Sequence, residues 1–301
     1  IGLNNMILNK AISNDSIEVS RGLRIFGRQT RPLHKILEYT TDPYIPDVTG
    51  SESGAIQFLY DLGIEPKNEN GWKKLIHLTE EEMQRLVTGI IMRRINEVSP
   101  EDVLGNIYTL KNEPPESPLR DIKEFTTLLN ACGRLNKPSL GIGACIGDSA
   151  IKNSAIQILS EYKRVIVNAI KWYENNRNSE CVINGDGYII INARDFVLST
   201  IIGTLASIIC KSQYIKNRTY ILAMAQQLTG KIKISLRISG KNGHIIDLRE
   251  IIKEILDGIE NAEFGGHENA AGAVIPFDKE SVFIERARYV LGKKGIEETI
   301  N

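Results

Sequence analysis

The chain has 301 residues, enough to bury more than one hydrophobic core, so two domains are the natural expectation. Its 42% hydrophobic and 25% charged residues are typical of a globular protein, and its 37 basic and 37 acidic residues cancel, so overall charge favours neither an acidic nor a basic partner. No apolar run is long enough to cross a membrane and no signal peptide is visible, which predicts a cytoplasmic protein without a membrane partner. Four widely spaced cysteines argue against a zinc site or a disulfide framework and favour free thiols: Cys132, Cys145, Cys181 and Cys210.

The first residues have the pattern of a helix already in progress, and the chain begins with Ile1 instead of methionine. We therefore expect residues 1–43 to contain the end of a truncated N-terminal region followed by a basic segment. Five cations without an intervening acid mark that segment: Arg21, Arg24, Arg28, Arg31 and Lys35. A solvent-exposed basic face is the simplest interpretation of such a run.

Residues 44–147 are predicted to form a mostly helical module. Thr79 and Glu82 have the spacing of a capping box, at the start of a run in which apolar residues recur every three or four positions as far as Val98. The proline-rich stretch "NEPPESP" interrupts the chain at 112–118. The module is expected to end in the Asn-Ala-Cys-Gly-Arg segment at 130–134.

The remainder of the chain predicts an α/β domain that follows a long connecting helix over 148–177. "ECVINGDGYIII" has the composition of a β-hairpin, and "TYILAMA" and "KIKISLRIS" are strand-like runs separated by helical ones. Residues 178–301 should therefore form a mixed sheet with flanking helices.

Residues 196–246 contain no aspartate or glutamate, although the whole chain is neutral. A basic surface with interspersed aromatic residues suits a phosphodiester backbone, and a merely solvated lysine-rich face is the alternative. The aromatic residues are Tyr214 and Tyr220, and the cations are Lys211, Lys216, Arg218, Lys231, Lys233, Arg237 and Lys241. Strand alternation in "KIKISLRIS" puts Ser235 and Arg237 on one face, where a hydroxyl beside a guanidinium fits a phosphate.

The stretch "FGGHENAAGAVIP" at 264–276 has two interpretations. It is either a tight turn between two elements or an anion-binding loop, in which Gly265 and Gly266 present backbone N–H groups and His267 donates to a phosphate oxygen. In the second case, Asn269, Ala270 and Ala271 would begin a turn whose small side chains allow a bulky group to approach.

Three stretches resemble proteins of the DHH phosphoesterase superfamily. "GGHENAAG", preceded by the Ser235-x-Arg237 strand, resembles the signature of the DHH-associated domain, the C-terminal substrate-binding domain of that superfamily. "NACGRLNKPSLGIGACIGD" resembles a segment of RecJ-type nucleases, and "LRIFGRQTRPLHKILEYTTDPYIPDVTG" resembles the archaeal RecJ-like branch. The resemblance implies the C-terminal, DHH-associated part of an archaeal RecJ-like protein.

By this resemblance, the phosphate-binding or nucleic-acid-binding residues are Arg134, Ser235, Arg237, Gly265, Gly266 and His267. The pocket-shaping residues are Asn130, Ala270, Ala271 and Gly272. Arg237 and His267 are expected to converge on one phosphate, which Arg134 approaches from the interdomain side.

The sequence departs from the family in having no Asp-His-His motif, and its four histidines are scattered: His34, His77, His244 and His267. Two-metal hydrolysis needs clustered carboxylates and imidazoles. We therefore expect no catalytic residue, metal ligand or cofactor in this chain, and Mn²⁺ only if an N-terminal DHH domain exists.

The resemblance implies a replication or repair protein that binds single-stranded DNA or RNA and is associated with the nucleoid. Its expected partners are the GINS complex, contacted through residues 44–120 or adjoining faces, and through GINS the MCM helicase. One alternative is the C-terminal part of a manganese-dependent 5′–3′ single-strand exonuclease. Another is a fragment of a phosphoesterase acting on nanoRNA or cyclic dinucleotides.

Overall fold

The computed structural model of the protein describes residues 2–41, 43–97, 99–212, 214–240 and 246–300. The chain divides into two compact units, Ile1–Ile158 and Leu159–Asn301. Among the described residues, no helix combines the length and the apolar character that crossing a membrane requires.

The first unit is mainly helical and contains two small antiparallel ribbons. Its helices are α1 (Leu3–Ser13), α2 (Leu33–Tyr39), α3 (Glu52–Asp61), α4 (Glu80–Arg93), α5 (Ile122–Arg134), α6 (Pro138–Ile146) and the first part of α7 (Ser149–Asn176). Its strands are β1 (Ile17–Leu23), β2 (Lys67–Asn68), β3 (Gly71–Trp72) and β4 (Leu104–Leu110). Strand β1 pairs with β4, and β2 pairs with β3.

The core of the first unit lies between α2, α3 and α4, where Leu37, Leu59 and Leu86 are fully buried. The predicted capping box at the start of α4 is confirmed: Glu82 N–H donates to Thr79 Oγ1 (3.2 Å), and Thr79 N–H donates to Glu82 Oε2 (3.1 Å). The helix ends at Arg93, earlier than the apolar pattern suggests, and Val98 lies outside the described residues. Arg94 is buried just after it and donates to Tyr44 O (2.8 Å) and to Asp102 Oδ1 (2.6 Å).

The β1–β4 ribbon was not predicted from the sequence. It pairs Ile17 with Leu110 and Leu23 with Leu104, so it joins the basic segment to the helical module. Most of β1 is exposed, and it therefore lacks the alternation of buried and exposed residues by which a strand is recognised. The basic segment that follows is not one solvated face, because Lys35 Nζ contacts both Glu38 and Glu52 at 2.8 Å.

The second unit contains a six-stranded mixed sheet in the order β5-β6-β7-β8-β10-β9. Its strands are β5 (Val182–Gly185), β6 (Tyr188–Asn192), β7 (Tyr220–Gln226), β8 (Lys231–Ile238), β9 (Glu263–His267) and β10 (Ala270–Pro276). The helices are the second part of α7, α8 (Ile202–Cys210), α9 (Leu248–Leu256) and α10 (Glu280–Ile300). Strands β6 and β7 are parallel, and the other neighbouring strands are antiparallel. The predicted mixed α/β fold, with its hairpin at β5–β6 and its long helix α7, is confirmed.

Helices cover both faces of this sheet. On one face, called here the α9 face, Leu222 and Ile234 pack in a cluster with α9 and α10. On the other, called the α8 face, Ile221 and Ala223 pack in a cluster with α7 and α8. Because β7 is buried on both sides, its sequence is a continuous apolar run without alternation.

Replacing Thr79 with alanine should remove the side-chain acceptor for Glu82 N–H and lower the free energy of unfolding by about 1 kcal/mol. Urea denaturation followed by circular dichroism measures this loss. Thr88→Ala, on the exposed side of the same helix, is the matched control and should change the value by less than about 0.5 kcal/mol. Equal losses in both variants would contradict the capping role.

Candidate nucleic-acid interface

The glycine-rich stretch forms a β-hairpin at the edge of the sheet. Strand β9 ends at His267, the turn consists of Glu268 and Asn269, and Ala270 begins β10. Ala270 and Ala271 are therefore strand residues, and the expectation that they begin a turn is wrong. All five residues of β9 are exposed, and β9 pairs only with β10 among the described strands.

The two neighbouring glycines, Gly265 and Gly266, serve different purposes. Gly266 has a φ of 143°, and a Cβ there would lie 2.3 Å from Ala270 O and 2.7 Å from Ala271 Cα. A Cβ on Gly265 would meet nothing within 4 Å. Gly266 is thus required by the close approach of β10, whereas Gly265 borders open space.

The pairing register decides which of the predicted residues share a face. Ser235 pairs with Gly272, which pairs with Gly265, and paired residues of antiparallel strands point to the same side. Leu236, Ala271 and Gly266 form the next row and point to the opposite side, the α9 face.

The α8 face therefore carries most of the predicted site. Arg237 lies two residues beyond Ser235, and His267, paired with Ala270, lies two beyond Gly265. Ser235, Arg237, Gly265, His267, Ala270 and Gly272 lie together on this face. Gly266 and Ala271 do not.

The first turn of α8 lies directly over Ser235 and Arg237. A Cβ on Gly203 would be 3.2 Å from Ser235 Oγ and 3.5 Å from Arg237 Nη2. Gly203 N–H has no hydrogen-bond partner within the described parts of the chain, and Ile201, the N-cap residue, provides no capping side chain. Unpaired N–H groups and the helix dipole make such an N-terminus favourable for an anion.

Sequence reasoning missed Gly203. Its only signal was a glycine within the apolar helical run "STIIGTLAS", where alanine would form a more stable helix.

Arg237 also has a structural role. Its Nε donates to Ser207 Oγ of α8 (3.1 Å), and its Nη1 donates to Leu236 O (2.8 Å) and Ala271 O (3.3 Å). The half-buried guanidinium thus joins α8, β8 and β10.

Cys210 lies at the end of α8, and Arg237 acts on it electrostatically. Burial raises the pKa of the Cys210 thiol to about 12, although Arg237 and Lys211 act in the opposite direction. The thiol therefore stays protonated at neutral pH and is not a nucleophile.

Two domain families match the chain: the DHH-CID domain over residues 25–107 and the DHHA1 domain over residues 186–293. The two matched regions, each less than half of the chain, are called here the DHH-CID domain and the DHHA1 domain. The DHHA1 match contains Gly203, Ser235, Arg237 and the β9–β10 hairpin, whereas Asn130 and Arg134 lie between the two matches.

An uncharacterized protein of Methanocaldococcus jannaschii is 24% identical to this chain over 306 residues, which cover 98% of this chain and 60% of that protein. The chain thus spans about 60% of the length of this relative.

Three solved structures are similar to the chain. CDC45 from Entamoeba histolytica has 9% identity and a TM-score of 0.49, and the match covers 92% of this chain and 58% of that chain. RecJ in complex with Mn²⁺ from Thermus thermophilus has 15% identity and a TM-score of 0.43, with coverage of 82% and 37%. The C-Ala domain of Aquifex aeolicus alanyl-tRNA synthetase has 14% identity and a TM-score of 0.31, with coverage of 37% and 97%. These similarities assign neither an activity nor a ligand to this chain.

The basic surface predicted in the DHHA1 domain is smaller than expected. Tyr214, Lys216 and Arg218 are exposed in the loop between α8 and β7, and Arg218 N–H donates to Ser239 O (2.9 Å) just beyond β8. Tyr220 is fully buried and cannot stack on a base, so its predicted role is wrong. Lys231 contacts Glu263 at 3.2 Å. Lys241, like His244, lies outside the described residues.

His267 is exposed at the end of β9, where its Nδ1 accepts a hydrogen bond from Asn269 N–H (3.3 Å). This bond leaves Nε2 as the nitrogen that carries a proton, directed away from the turn backbone. A donor to a phosphate oxygen is thus available on the same sheet face as Arg237.

Asn130 and Arg134 are exposed on α5, one helical turn apart and hence on one side of that helix. The buried Glu124 attaches α5 to the loop between β1 and α2, because its Oε1 accepts from Gln29 N–H (2.8 Å). Both candidate residues belong to the first unit, and the convergence of Arg134 with Arg237 and His267 stays a prediction.

Within residues 2–41, 43–97, 99–212, 214–240 and 246–300, no group of three or more His, Cys, Asp or Glu side chains could hold a metal ion.

Gly266→Ala should lower the free energy of unfolding by about 1–3 kcal/mol, because a Cβ forces an unfavourable φ and displaces the backbone of β10. Gly265→Ala, one residue earlier in the same strand, is the matched control and should change stability by less than about 0.5 kcal/mol. Differential scanning calorimetry of both variants provides the measurement. A stable Gly266→Ala variant would show that the hairpin does not require glycine at this position.

Proposed function

We propose that the protein is a RecJ-like member of the DHH superfamily that binds single-stranded DNA or RNA through its DHHA1 domain. The observation that carries the proposal is the position of the first turn of α8: a Cβ on Gly203 would lie 3.2 Å from Ser235 Oγ and 3.5 Å from Arg237 Nη2. A backbone N–H at a helix N-terminus, a hydroxyl and a guanidinium are the groups that bind phosphate oxygens in proteins. Glycine leaves the first turn of α8 without a Cβ on the side that faces Ser235 and Arg237.

The surroundings of this site suit a chain of nucleotides. Gly265 and Gly272 lie in the row that extends from Ser235 to the sheet edge, so a strand of nucleic acid could lie close to the protein backbone there. Tyr214, Lys216 and Arg218 are exposed near the end of β8 and could provide base stacking and further phosphate contacts.

The proposal assigns binding, and no hydrolytic step, to these residues. In the alternative, the chain is the C-terminal part of a manganese-dependent 5′–3′ exonuclease, whose chemistry would require two metal ions held by carboxylates and imidazoles. Because the alternative places the metal ligands outside this sequence, incubation of a 3′-labelled oligonucleotide with the native protein and Mn²⁺ separates the two. Stepwise shortening from the 5′ end would favour the alternative.

An association with the GINS complex, and through it with the MCM helicase, is the finer part of the proposal and rests on the sequence resemblance. A groove of about 710 Å³ between α3 and α4 offers a surface for such a contact. Phe58, Leu62 and Met92 provide its apolar lining, and Arg85 and Arg93 add positive charge. Grooves of this kind bind the apolar side of a partner helix.

Gly203→Ala should weaken oligonucleotide binding about 10-fold, because its Cβ occupies the space above Ser235 and Arg237 that a phosphate needs. The same change should alter stability little, because the gain in helix propensity is opposed by the close contact of the Cβ with Ser235 Oγ, at 3.2 Å. Fluorescence anisotropy with a labelled single strand, beside a thermal melt, measures both effects.

Gly292→Ala, within α10 and next to the α9 face, is the matched control and should leave affinity unchanged. Unchanged affinity in Gly203→Ala would remove the phosphate site from the first turn of α8.

Met92→Lys should abolish co-elution with GINS in size-exclusion chromatography, because it places a charge in the apolar groove. Met6→Lys on α1 is the matched control, since Met6 and Met92 are similarly exposed at 69% and 61%. If both variants co-elute with GINS, this groove is not the contact. If the unmodified protein fails to co-elute, the partnership itself is excluded.

A further inference from the structure

A separate cavity of about 400 Å³ lies in the first unit and is mostly within the DHH-CID match. It combines an exposed indole, two side-chain amides and a cluster of three charged or ionisable groups. The lining residues are Asn68, Asn70, Trp72, Lys74, His77 and Glu116. None of them belongs to the phosphate site proposed above.

The β2–β3 hairpin presents one side of this cavity. Lys67 pairs with Trp72 and Asn68 pairs with Gly71, which leaves a two-residue turn. Asn70 N–H donates to Asn68 Oδ1 (3.0 Å), so the Asn68 side chain stabilises the turn. The amide of Asn70 makes no hydrogen bond among the described residues and can both donate and accept.

Trp72 packs against the protein through His34 and is partly exposed to solvent. Leu33 N–H donates to Lys73 O (2.7 Å), which attaches β3 to the start of α2. The buried ring of His34 packs against the indole with centroids 4.0 Å apart. Trp72 is nevertheless 39% exposed, and the exposed Lys67 Nζ lies 4.5 Å from its ring centroid.

Glu116 organises the opposite side. Its carboxylate contacts Lys74 Nζ at 2.6 Å and His77 Nε2 at 2.8 Å, and its backbone N–H donates to Gln29 Oε1 (3.0 Å). Hydrogen bonds from Lys74 and His77 lower the pKa of the Glu116 carboxyl. This wall therefore presents fixed donors and acceptors instead of mobile side chains.

We infer that this cavity binds one nucleobase of a single-stranded nucleic acid, placed against Trp72. An apolar ligand would leave the Asn70 side-chain amide without a partner, and a simple anion would meet the Glu116 carboxylate. A planar heterocycle with donors and acceptors at its edge matches the indole, the Asn70 amide and the wall together. Lys67 carries the charge that a neighbouring phosphate requires. The choice of a nucleic acid as ligand rests on the proposed function.

The experiment uses the two tryptophans of the chain, Trp72 and Trp172. In the Trp172→Phe background, Trp72 alone reports by its fluorescence. A single-stranded oligonucleotide and AMP should quench this emission, whereas an abasic deoxyribose-phosphate chain of equal length should not. Trp72→Leu should weaken oligonucleotide binding by about 5- to 100-fold, and Trp72→Phe should restore most of the affinity, because a phenyl ring also stacks.

The outcomes keep this inference distinct from the proposed function. Oligonucleotide binding that depends on Gly203, with unchanged Trp72 emission and unchanged affinity in Trp72→Leu, would overturn the base-binding cavity alone. Quenching by AMP without any oligonucleotide binding would support the cavity and contradict the proposed function. Equal quenching by the abasic chain would show that a phosphate, not a base, is bound, and would overturn the inference. A thermal melt of Trp72→Leu and Trp72→Phe separates loss of binding from loss of the fold.

Discussion

The candidate site of the DHHA1 domain depends on the register in which β8, β10 and β9 pair. Ser235, Gly272 and Gly265 form one row, and Leu236, Ala271 and Gly266 form the next. A shift of one residue would turn Ser235 and Arg237 toward the α9 face and remove Leu236 from the core on that face. The buried row fixes this register, because Leu236 and Ala271 belong to the core shared with α9 and α10. Burial of apolar side chains on one face thus determines which polar groups are presented on the other.

Structural and ligand-binding roles overlap at Arg237. Its guanidinium joins α8 to β8 and β10, and the same contacts hold it beneath the first turn of α8. Few rotamers satisfy such bonds, so little side-chain entropy would be lost when an anion binds. At Gly203, a glycine weakens the helix but places no side chain between the first turn of α8 and the side chains of Ser235 and Arg237. Local geometry can therefore create an anion site in a chain without net charge.

Two surfaces of the first unit are suited to a ligand by their shape and their chemistry. The groove between α3 and α4 is apolar with charges at its margin, which suits a protein partner. The Trp72 cavity is polar and aromatic, which suits a heterocycle. In the cavity, other contacts already hold the side chains in place. His34 packs against Trp72, and Lys74 forms an ion pair with Glu116.

The elements with strong local signals could be predicted from the sequence alone. The capping box at Thr79, the long helix α7, the β5–β6 hairpin and the mixed α/β class follow from periodicity and turn composition, which act between near neighbours. The GGHENAAG stretch and the Ser235-x-Arg237 strand could be singled out in the same way. Other features could be seen only in the tertiary structure: the close packing of Gly266 against β10 and the burial of Tyr220. The pairing of β1 with β4 and the position of Gly203 over Ser235 belong to the same group. These facts depend on contacts between segments far apart in the chain, and neither propensity nor spacing specifies which distant segments meet.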